Sequence, residues 1–397
     1  MFRKIRELGW RAVVGGLFAA GLLFVAAAGL AQTVLLPAER SEYENRYAHK
    51  IDAPTLAGYL SGSFQESVDN ALGDQVTLST TFKKAYARLS TAILDLAGRP
   101  FRESEYLAER YIRADQALLF GPEHLVYAPY DAARKDELTA RAAQLSALIA
   151  AHPEVKFSLY YIEKDTDLHF ETGEKPGFYE ALRQGVTLPE ERMDGFTIDC
   201  FEEFSEFFYR TDHHWNAAGA ARGYREVLQI LECEDAPREV TAEVTLAGRM
   251  CGSKALSYGL MREEDVTLYA YALPELRVWI NGAPAEAYGR QAAFRNGAKD
   301  PPSYSLIYGE DDGEVILSTG DPERENLLIL GESYDNAILN LVASHYQNTY
   351  AVDLRYYEAL MGEPFRFSDY LAEHEIHRVL FIGNIDYFLM PDFLVEG

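Results

Sequence analysis

Leu327-Leu328-Ile329-Leu330 is an uninterrupted apolar run closed by the turn Gly331-Glu332-Ser333 and followed by a helical pattern over Asn336–His345. A short run with no polar alternation, starting near Asn326, reads as a strand buried on both faces, which is how strands of a parallel sheet covered by helices on each side are composed. Ser333 then stands at the carboxyl end of a parallel strand, the edge at which open α/β sheets bind ligands. The helix that follows presents unpaired backbone N–H groups and a partial positive charge there. A helix-capping serine would occupy the same place, so this segment alone leaves both roles open.

The strand-then-helix rhythm recurs along the chain. A helix from Ala132 carries Leu138, Ala142, Leu145 and Ile149 on one stripe, ends at His152-Pro153, and leads into a buried strand over Val155–Ile162. A strand around Phe196–Ile198 precedes helical Phe201–Phe208, and a further helix covers Ala217–Leu231. Strands are expected at Thr349–Asp353 and Val379–Ile382, separated by a helix starting near Ser368. Upstream, Glu42–Pro100 reads as helical, with Phe82, Tyr86, Leu89, Ile93 and Leu96 at spacings of three and four on a face that must pack on something. Between Glu239 and Gly320 the pattern changes to short strand-like runs, Val266–Tyr271 and Arg277–Ile280, punctuated by Asn281-Gly282, Asp300-Pro301-Pro302 and Asp311-Asp312-Gly313. The expected organisation is therefore an N-terminal segment (1–31), a helical region packing on the core (32–130), an α/β domain in two parts (131–238 and 321–397), and a β-rich insertion (239–320).

At the N-terminus, Arg3, Lys4, Arg6 and Arg11 precede an uncharged apolar run from Ala12 to Ala31, the pattern of a secretory signal or a signal anchor. The run can just span a bilayer, while Gly29-Leu30-Ala31 offers small residues for cleavage, so anchoring and release both stay open. Either places the body outside the cytoplasm. The net charge of -25 argues against nucleic acid or an anionic bilayer as the main partner. Cys200, Cys233 and Cys251 are compatible with one disulfide and one free thiol, without fixing a pairing, and show no metal-ligand spacing.

Thr211-Asp212-His213-His214-Trp215 supplies what Ser333 lacks. In an extended loop, residues two apart point to the same side, so Asp212 can accept from one ring nitrogen of His214 while the other faces Ser333. That is the arrangement in which an imidazole takes the proton of an attacking serine and a carboxylate fixes its tautomer. A metal role for Asp212, His213 and His214 is weaker, because adjacent histidines do not easily share an ion. His374-Glu375-Ile376-His377 has helical ligand spacing, but such a pair is more often solvated surface. Asn384, after the Val379–Ile382 strand, reaches the same sheet edge as a possible oxyanion donor or as a turn asparagine.

These residues resemble the signature of the DHHW family, relatives of the alginate O-acetylating proteins with an SGNH-hydrolase-like domain. Glu44-Asn45-Arg46, Gly219-Ala220, Gly331-Glu332-Ser333-Tyr334 and Val352-Asp353-Leu354-Arg355-Tyr356-Tyr357 also resemble family segments, so the likeness runs from about residue 40 onward. It implies an α/β three-layer sandwich with a parallel sheet and circularly permuted motif order, since Asp212 and His214 precede Ser333. By this resemblance Ser333 matches the nucleophile, His214 the general base and Asp212 its orienting carboxylate, with Asn384, Arg355 and Tyr334 as oxyanion or substrate contacts. Arg355 could equally pair with Asp353. Glu332 departs from the usual Asp before the serine.

The function expected from motif and resemblance together is acetyl transfer to a hydroxyl of a cell-surface or secreted polysaccharide, with no cofactor and no metal. The resemblance further implies a membrane-bound O-acyltransferase partner. A carbohydrate esterase would use the same triad, and a noncatalytic glycan-binding or assembly protein would keep the fold without turnover.

Overall fold

A computed structural model describes residues 2–37, 40–41, 46–75, 79–98, 112–114, 117–120 and 124–390. Glu42, Glu44, Asn45 and Pro100, which belong to expectations above, lie outside them. The chain divides into two compact units, one of residues 1–97 with 256–261 and the other of residues 98–255 with 262–397.

The first unit is helical. Helix α1 (Phe2–Leu35) contains a segment, Ala12–Leu35, long and apolar enough to cross a membrane. It is followed by α2 (Leu56–Ser61), α3 (Ser63–Gln75) and α4 (Ser79–Gly98). Thr55 starts α2 by accepting from the Gly58 amide, and Gly62 ends it in the left-handed region at φ 88°. The stripe Phe82, Tyr86, Leu89, Ile93 and Leu96 lies on one face of α4 as expected. Contrary to expectation, that face is exposed.

The second unit is the α/β body. Its eight-stranded sheet is built from β1 (Lys156–Ile162), β2 (Met193–Phe196), β5 (Arg277–Ile280), β6 (Ala283–Ala285), β7 (Glu314–Ser318), β8 (Leu327–Leu330), β9 (Asn348–Val352) and β10 (Arg378–Gly383); β3 (Val240–Met250) and β4 (Glu264–Tyr271) form a separate antiparallel pair. The order across the sheet is β6-β5-β7-β9-β8-β10-β1-β2. Strands β9, β8, β10, β1 and β2 run parallel. Strands β7, β5 and β6 continue the sheet antiparallel. The stretch expected as an insertion therefore splits: β3 and β4 stand apart, whereas β5, β6 and β7 extend the main sheet, pairing β7 with β9 through backbone groups that side-chain pattern does not reveal.

Alternate side chains of the parallel strands enter two cores. Tyr160, Ile162, Leu327, Ile329, Leu380 and Ile382 pack on one face against α8 (Ala217–Ile230) and α10 (Asn336–Ala343). Phe157, Leu159, Tyr161, Leu328, Leu330, Val379 and Phe381 pack on the other against α5 (Arg134–Ala151), α6 (Phe178–Gly185) and α11 (Phe367–Glu373). The result is a helix, sheet, helix sandwich. Cys200, Cys233 and Cys251 form no disulfide, so the pairing that the composition allowed is not made. His374–His377 lie beyond the end of α11, with Glu375 at φ 49°, so no helix face is shared by the two histidines.

Two glycines of α8 shape the body near Trp215, whose ring is fully buried. A Cβ on Gly223 would stand 2.5 Å from the Trp215 ring, and one on Gly219 would stand 2.4 Å from the Phe207 carbonyl and 2.9 Å from the Trp215 Cβ. The helix can approach the indole this closely only because both positions lack a side chain. Gly223→Ala is expected to lower stability by about 1–3 kcal/mol through overpacking, read as a lower midpoint in denaturant unfolding; an unchanged midpoint would show that the indole has room to move.

Candidate active site

Parallel pairing brings four strand ends to one edge of the sheet. β8 ends at the Gly331-Glu332-Ser333 turn, β10 at Asn384, β9 at Asp353 and Arg355, and β1 at Glu163 and Lys164. The Asp212–Trp215 segment reaches this edge from between α7 (Phe201–Phe207) and α8. Phe208 and Trp215 form a β-bridge, and the Tyr209 amide donates to the His214 carbonyl at 3.1 Å. Asn216 then caps α8, accepting from the amides of Ala218 and Gly219. The loop is thus closed on itself by the Phe208–Trp215 bridge and held at its carboxyl end by the buried indole and the cap.

Within it, His214 Nδ1 lies 2.6 Å from Asp212 Oδ1, and His214 Nε2 lies 2.8 Å from Ser333 Oγ. The three groups form one line of hydrogen bonds, with Asp212 and His214 buried and Ser333 half-buried. Asp212 Oδ1 also accepts from the His214 amide at 3.1 Å, and Oδ2 accepts from the Ser253 amide at 2.7 Å. Burial by itself would raise the Asp212 carboxyl, but His214, His213 and the Ser253 amide together hold it well below the usual carboxylate range. Burial, then the neighbouring His214, push His213 well below the usual imidazole range. Ser253 Oγ lies 2.7 Å from His213 Nδ1. Asp212, His213 and His214 could by spacing offer one ligand atom each to a metal. Both oxygens of Asp212, however, already accept hydrogen bonds, and both ring nitrogens of His214 are engaged.

Residues that the sequence did not single out support this line. The Tyr304 ring, at the start of α9 (Tyr304–Tyr308), stacks on the His214 imidazole with centroids 3.6 Å apart and 2° between planes. Its hydroxyl donates to the Ser333 carbonyl at 2.9 Å. One side chain therefore touches both ends of the His214–Ser333 contact. Glu264 accepts from the amides of Arg210 and Thr211 and from the Thr211 hydroxyl, bracing the loop from below. Gly252 packs so closely on Thr211 and Asp212 that a Cβ there would meet backbone atoms at 2.5 Å. No local sequence signal marks Tyr304 or Glu264, since their roles come from long-range packing.

The remaining expected site residues lie beside the same edge, each with partners of its own. Asn384 is buried, and its side-chain amide donates to Glu332 Oε1 at 2.5 Å while its Oδ1 accepts from the Asp386 amide at 2.8 Å. It caps the turn that follows, and one of its two amide N–H groups is committed to Glu332. Arg355 forks onto Asp353, with Nε at 2.9 Å and Nη2 at 2.6 Å from the two carboxylate oxygens, and reaches Glu332 at 3.4 Å. Tyr334 is buried and donates to the His213 carbonyl. Glu332, longer than the aspartate expected before the serine, spans to both Asn384 and Arg355 and so ties the β8, β9 and β10 turns together. Burial raises its carboxyl, offset in part by Arg355 and Lys164.

The backbone amides of Glu332, Ser333 and Tyr334 donate no hydrogen bond among the described residues. They stand just ahead of α10, where a developing negative charge is favoured.

A pH signature follows from Asp212. Its folded-state carboxyl binds a proton less readily than in the unfolded chain, so its contribution to stability is complete above the unfolded value of about 3.9 and is lost as pH falls below it. The stability gap between wild type and Asp212→Asn is therefore expected to narrow between pH 7 and pH 3, measured by denaturant unfolding; a gap that widens toward acid would contradict the His214–Asp212 charge pairing.

No protein-family model matches the chain, and no curated protein sequence matches it. Among solved structures, that of Bacillus cereus PatB1 with a sulfonyl adduct aligns with a TM-score of 0.53 at 19% identity, covering 70% of this chain and 98% of PatB1. A DHHW family protein from Eubacterium siraeum aligns with a TM-score of 0.51 at 15% identity, covering 70% of this chain and 94% of that protein. A second PatB1 structure gives 0.50 at 18% identity over 70% of this chain and 96% of its own. The chain shares its fold with PatB1 and with a DHHW family protein.

Proposed function

We propose that this chain is an extracytoplasmic acyl-transfer enzyme, an O-acetyltransferase acting on a polysaccharide hydroxyl, with Ser333 as nucleophile. The observation that carries the reading is the unbroken line from Asp212 through His214 to Ser333, at 2.6 Å and 2.8 Å. Its location at the carboxyl edge of the parallel strands and the unpaired amides beside Ser333 add support.

In this reading Ser333 Oγ attacks the acetyl carbonyl of a donor ester while His214 Nε2 takes its proton. The new Oγ–C bond forms a tetrahedral oxyanion that the Ser333 and Tyr334 amides can meet. The donor C–O bond then breaks, and the imidazolium returns the proton to the leaving oxygen. A glycan hydroxyl attacks the acetyl-serine with His214 again as base, and Oγ leaves protonated. Asp212 keeps its charge throughout and steadies the imidazolium. Tyr304 acts as a positioning residue, holding the imidazole plane while fixing the Ser333 backbone. A membrane-bound acyltransferase supplying the acetyl group, and anchoring by the N-terminal apolar helix, belong to the same reading. Water in place of the glycan hydroxyl would make the same site an esterase.

With a chromogenic acetyl ester, Ser333→Ala is expected to lower turnover by at least about a thousandfold, and a glycan acceptor to divert product from free acetate to acetylated glycan. Equal rates for the two proteins would end the proposal, and acetate release unaffected by any acceptor would favour the esterase. Phenylmethylsulfonyl fluoride should add one sulfonyl group to the wild type and none to Ser333→Ala, as read by intact-protein mass. Tyr304→Leu should lower kcat by roughly 3–10-fold, the worth of one aromatic contact plus one hydrogen bond, with KM little changed; a KM effect alone would assign Tyr304 to substrate binding instead.

A further inference from the structure

Helix α4 is amphipathic in the inverted sense. The face turned into the first unit carries Lys84, Ala87, Thr91 and Asp95; Ala87 is fully buried and the Thr91 hydroxyl accepts from the Met261 amide at 2.8 Å. The face turned outward carries Phe82, Tyr86, Leu89, Ile93 and Leu96, exposed by 58–71%. At 100° per residue these five side chains fall within a single narrow stripe. Leu56, Tyr59 and Leu60 of α2 are also exposed, by 62–77%.

This apolar exposure is confined to one unit. Among described residues of the α/β body, the large apolar side chains classed as exposed are Val240 and Leu273, each at 37%. A soluble surface does not present contiguous aromatic and aliphatic stripes of this kind without a partner. The same unit contains α1, whose Ala12–Leu35 segment is long and apolar enough to cross a membrane and is itself largely exposed. Lys83, which also lies 3.9 Å from Asp74, and Arg88 flank the stripe on its two sides, and with Lys84 on the inner face and Asp95 as its one acid α4 is cationic in a chain of net charge -25. A narrow apolar stripe flanked by cations is the composition of a helix lying at the boundary between lipid headgroups and acyl chains.

We propose that the outward face of α4 docks on the surface of a lipid bilayer, with Phe82, Leu89 and Ile93 entering the acyl region. The occupant is lipid rather than a second protein because the unit that carries the stripe also carries α1, whose Ala12–Leu35 segment is long and apolar enough to cross a membrane, and because the flanking Lys83 and Arg88 suit an anionic headgroup layer. The proposal goes beyond acyl transfer and is independent of Ser333.

The test uses the full chain reconstituted into vesicles of phosphatidylethanolamine and phosphatidylglycerol, with photoreactive benzoylphenylalanine in place of Phe82, Leu89, Ile93 or, as the inward control, Lys84. Lipid adducts at the three stripe positions and none at Lys84 are expected. Adducts to a second copy of the chain at the stripe, or equal lipid labelling of both faces, would overturn the docking. Carbonate extraction of the same vesicles separates anchoring from docking. Resistance to extraction without stripe adducts overturns the docking and keeps the anchor, whereas extraction with stripe adducts present keeps the docking without it. In intact membranes, stripe positions cross-linked to another protein in place of lipid would also overturn it. Leu89→Glu with Ile93→Glu, both at exposed sites, should abolish the adduct at Phe82 while leaving ester turnover unchanged.

Discussion

The parallel strands are apolar on both sides, and that double burial governs the body of the molecule. Leu327 and Ile329 face one core while Leu328 and Leu330 face the other, and the same alternation holds for β1 and β10. Neither face can be left to water, so helices must cover both, and the crossovers return every parallel strand in the same direction. The consequence is a single edge at which all the strand-to-helix turns gather. Ser333, Asn384, Arg355 and Lys164 meet there although they are far apart in sequence.

The Asp212–His214 segment arrives at that edge by a different device, the burial of Trp215. The indole occupies the core against α8, which must carry Gly219 and Gly223 to approach it, and the preceding residues are drawn into line. Glu264 and Gly252 brace the loop from outside its own sequence neighbourhood, and Tyr304 clasps His214 to the Ser333 backbone. Around the serine turn, Glu332 joins Asn384 to Arg355, while Asp335 is pushed upward by burial and by the neighbouring Asp353 and Glu332. The hydroxyl and imidazole are therefore held by contacts on several sides, which is what preorganisation of such a pair requires.

The two units obey opposite surface rules. In the α/β body the large apolar side chains lie inside, and buried carboxylates, Asp212, Glu264, Glu332 and Asp335 among them, gather around the serine turn and the loop that meets it. In the unit containing α1 and α4, apolar side chains line the outside of helices whose inner faces are polar.

Much of this was legible in the linear sequence. The apolar runs located four of the five parallel strands to within a residue, because uninterrupted burial leaves a compositional mark, whereas the strand expected around Phe196–Ile198 is Met193–Phe196, whose Asp194 and Gly195 break the apolar run. The pairing of Asp212 with His214 and the place of Ser333 followed from side-chain alternation and from strand-end position. Local patterning also marked the stripe on α4, but periodicity reports that a face is apolar without reporting what covers it, and the structure leaves that face bare. Backbone pairing hid the attachment of β5, β6 and β7 to the main sheet, since ladder hydrogen bonds carry no side-chain signature. The fates of Asn384 and Arg355 were decided by partners contributed from other turns, Glu332 and Asp353, and Tyr304 and Glu264 owe their positions to long-range packing alone. The sequence by itself determined which segments are strands and which groups could react. Only the tertiary structure decided which of those groups meet, because convergence of distant loops is set by packing in three dimensions and leaves no periodic trace along the chain.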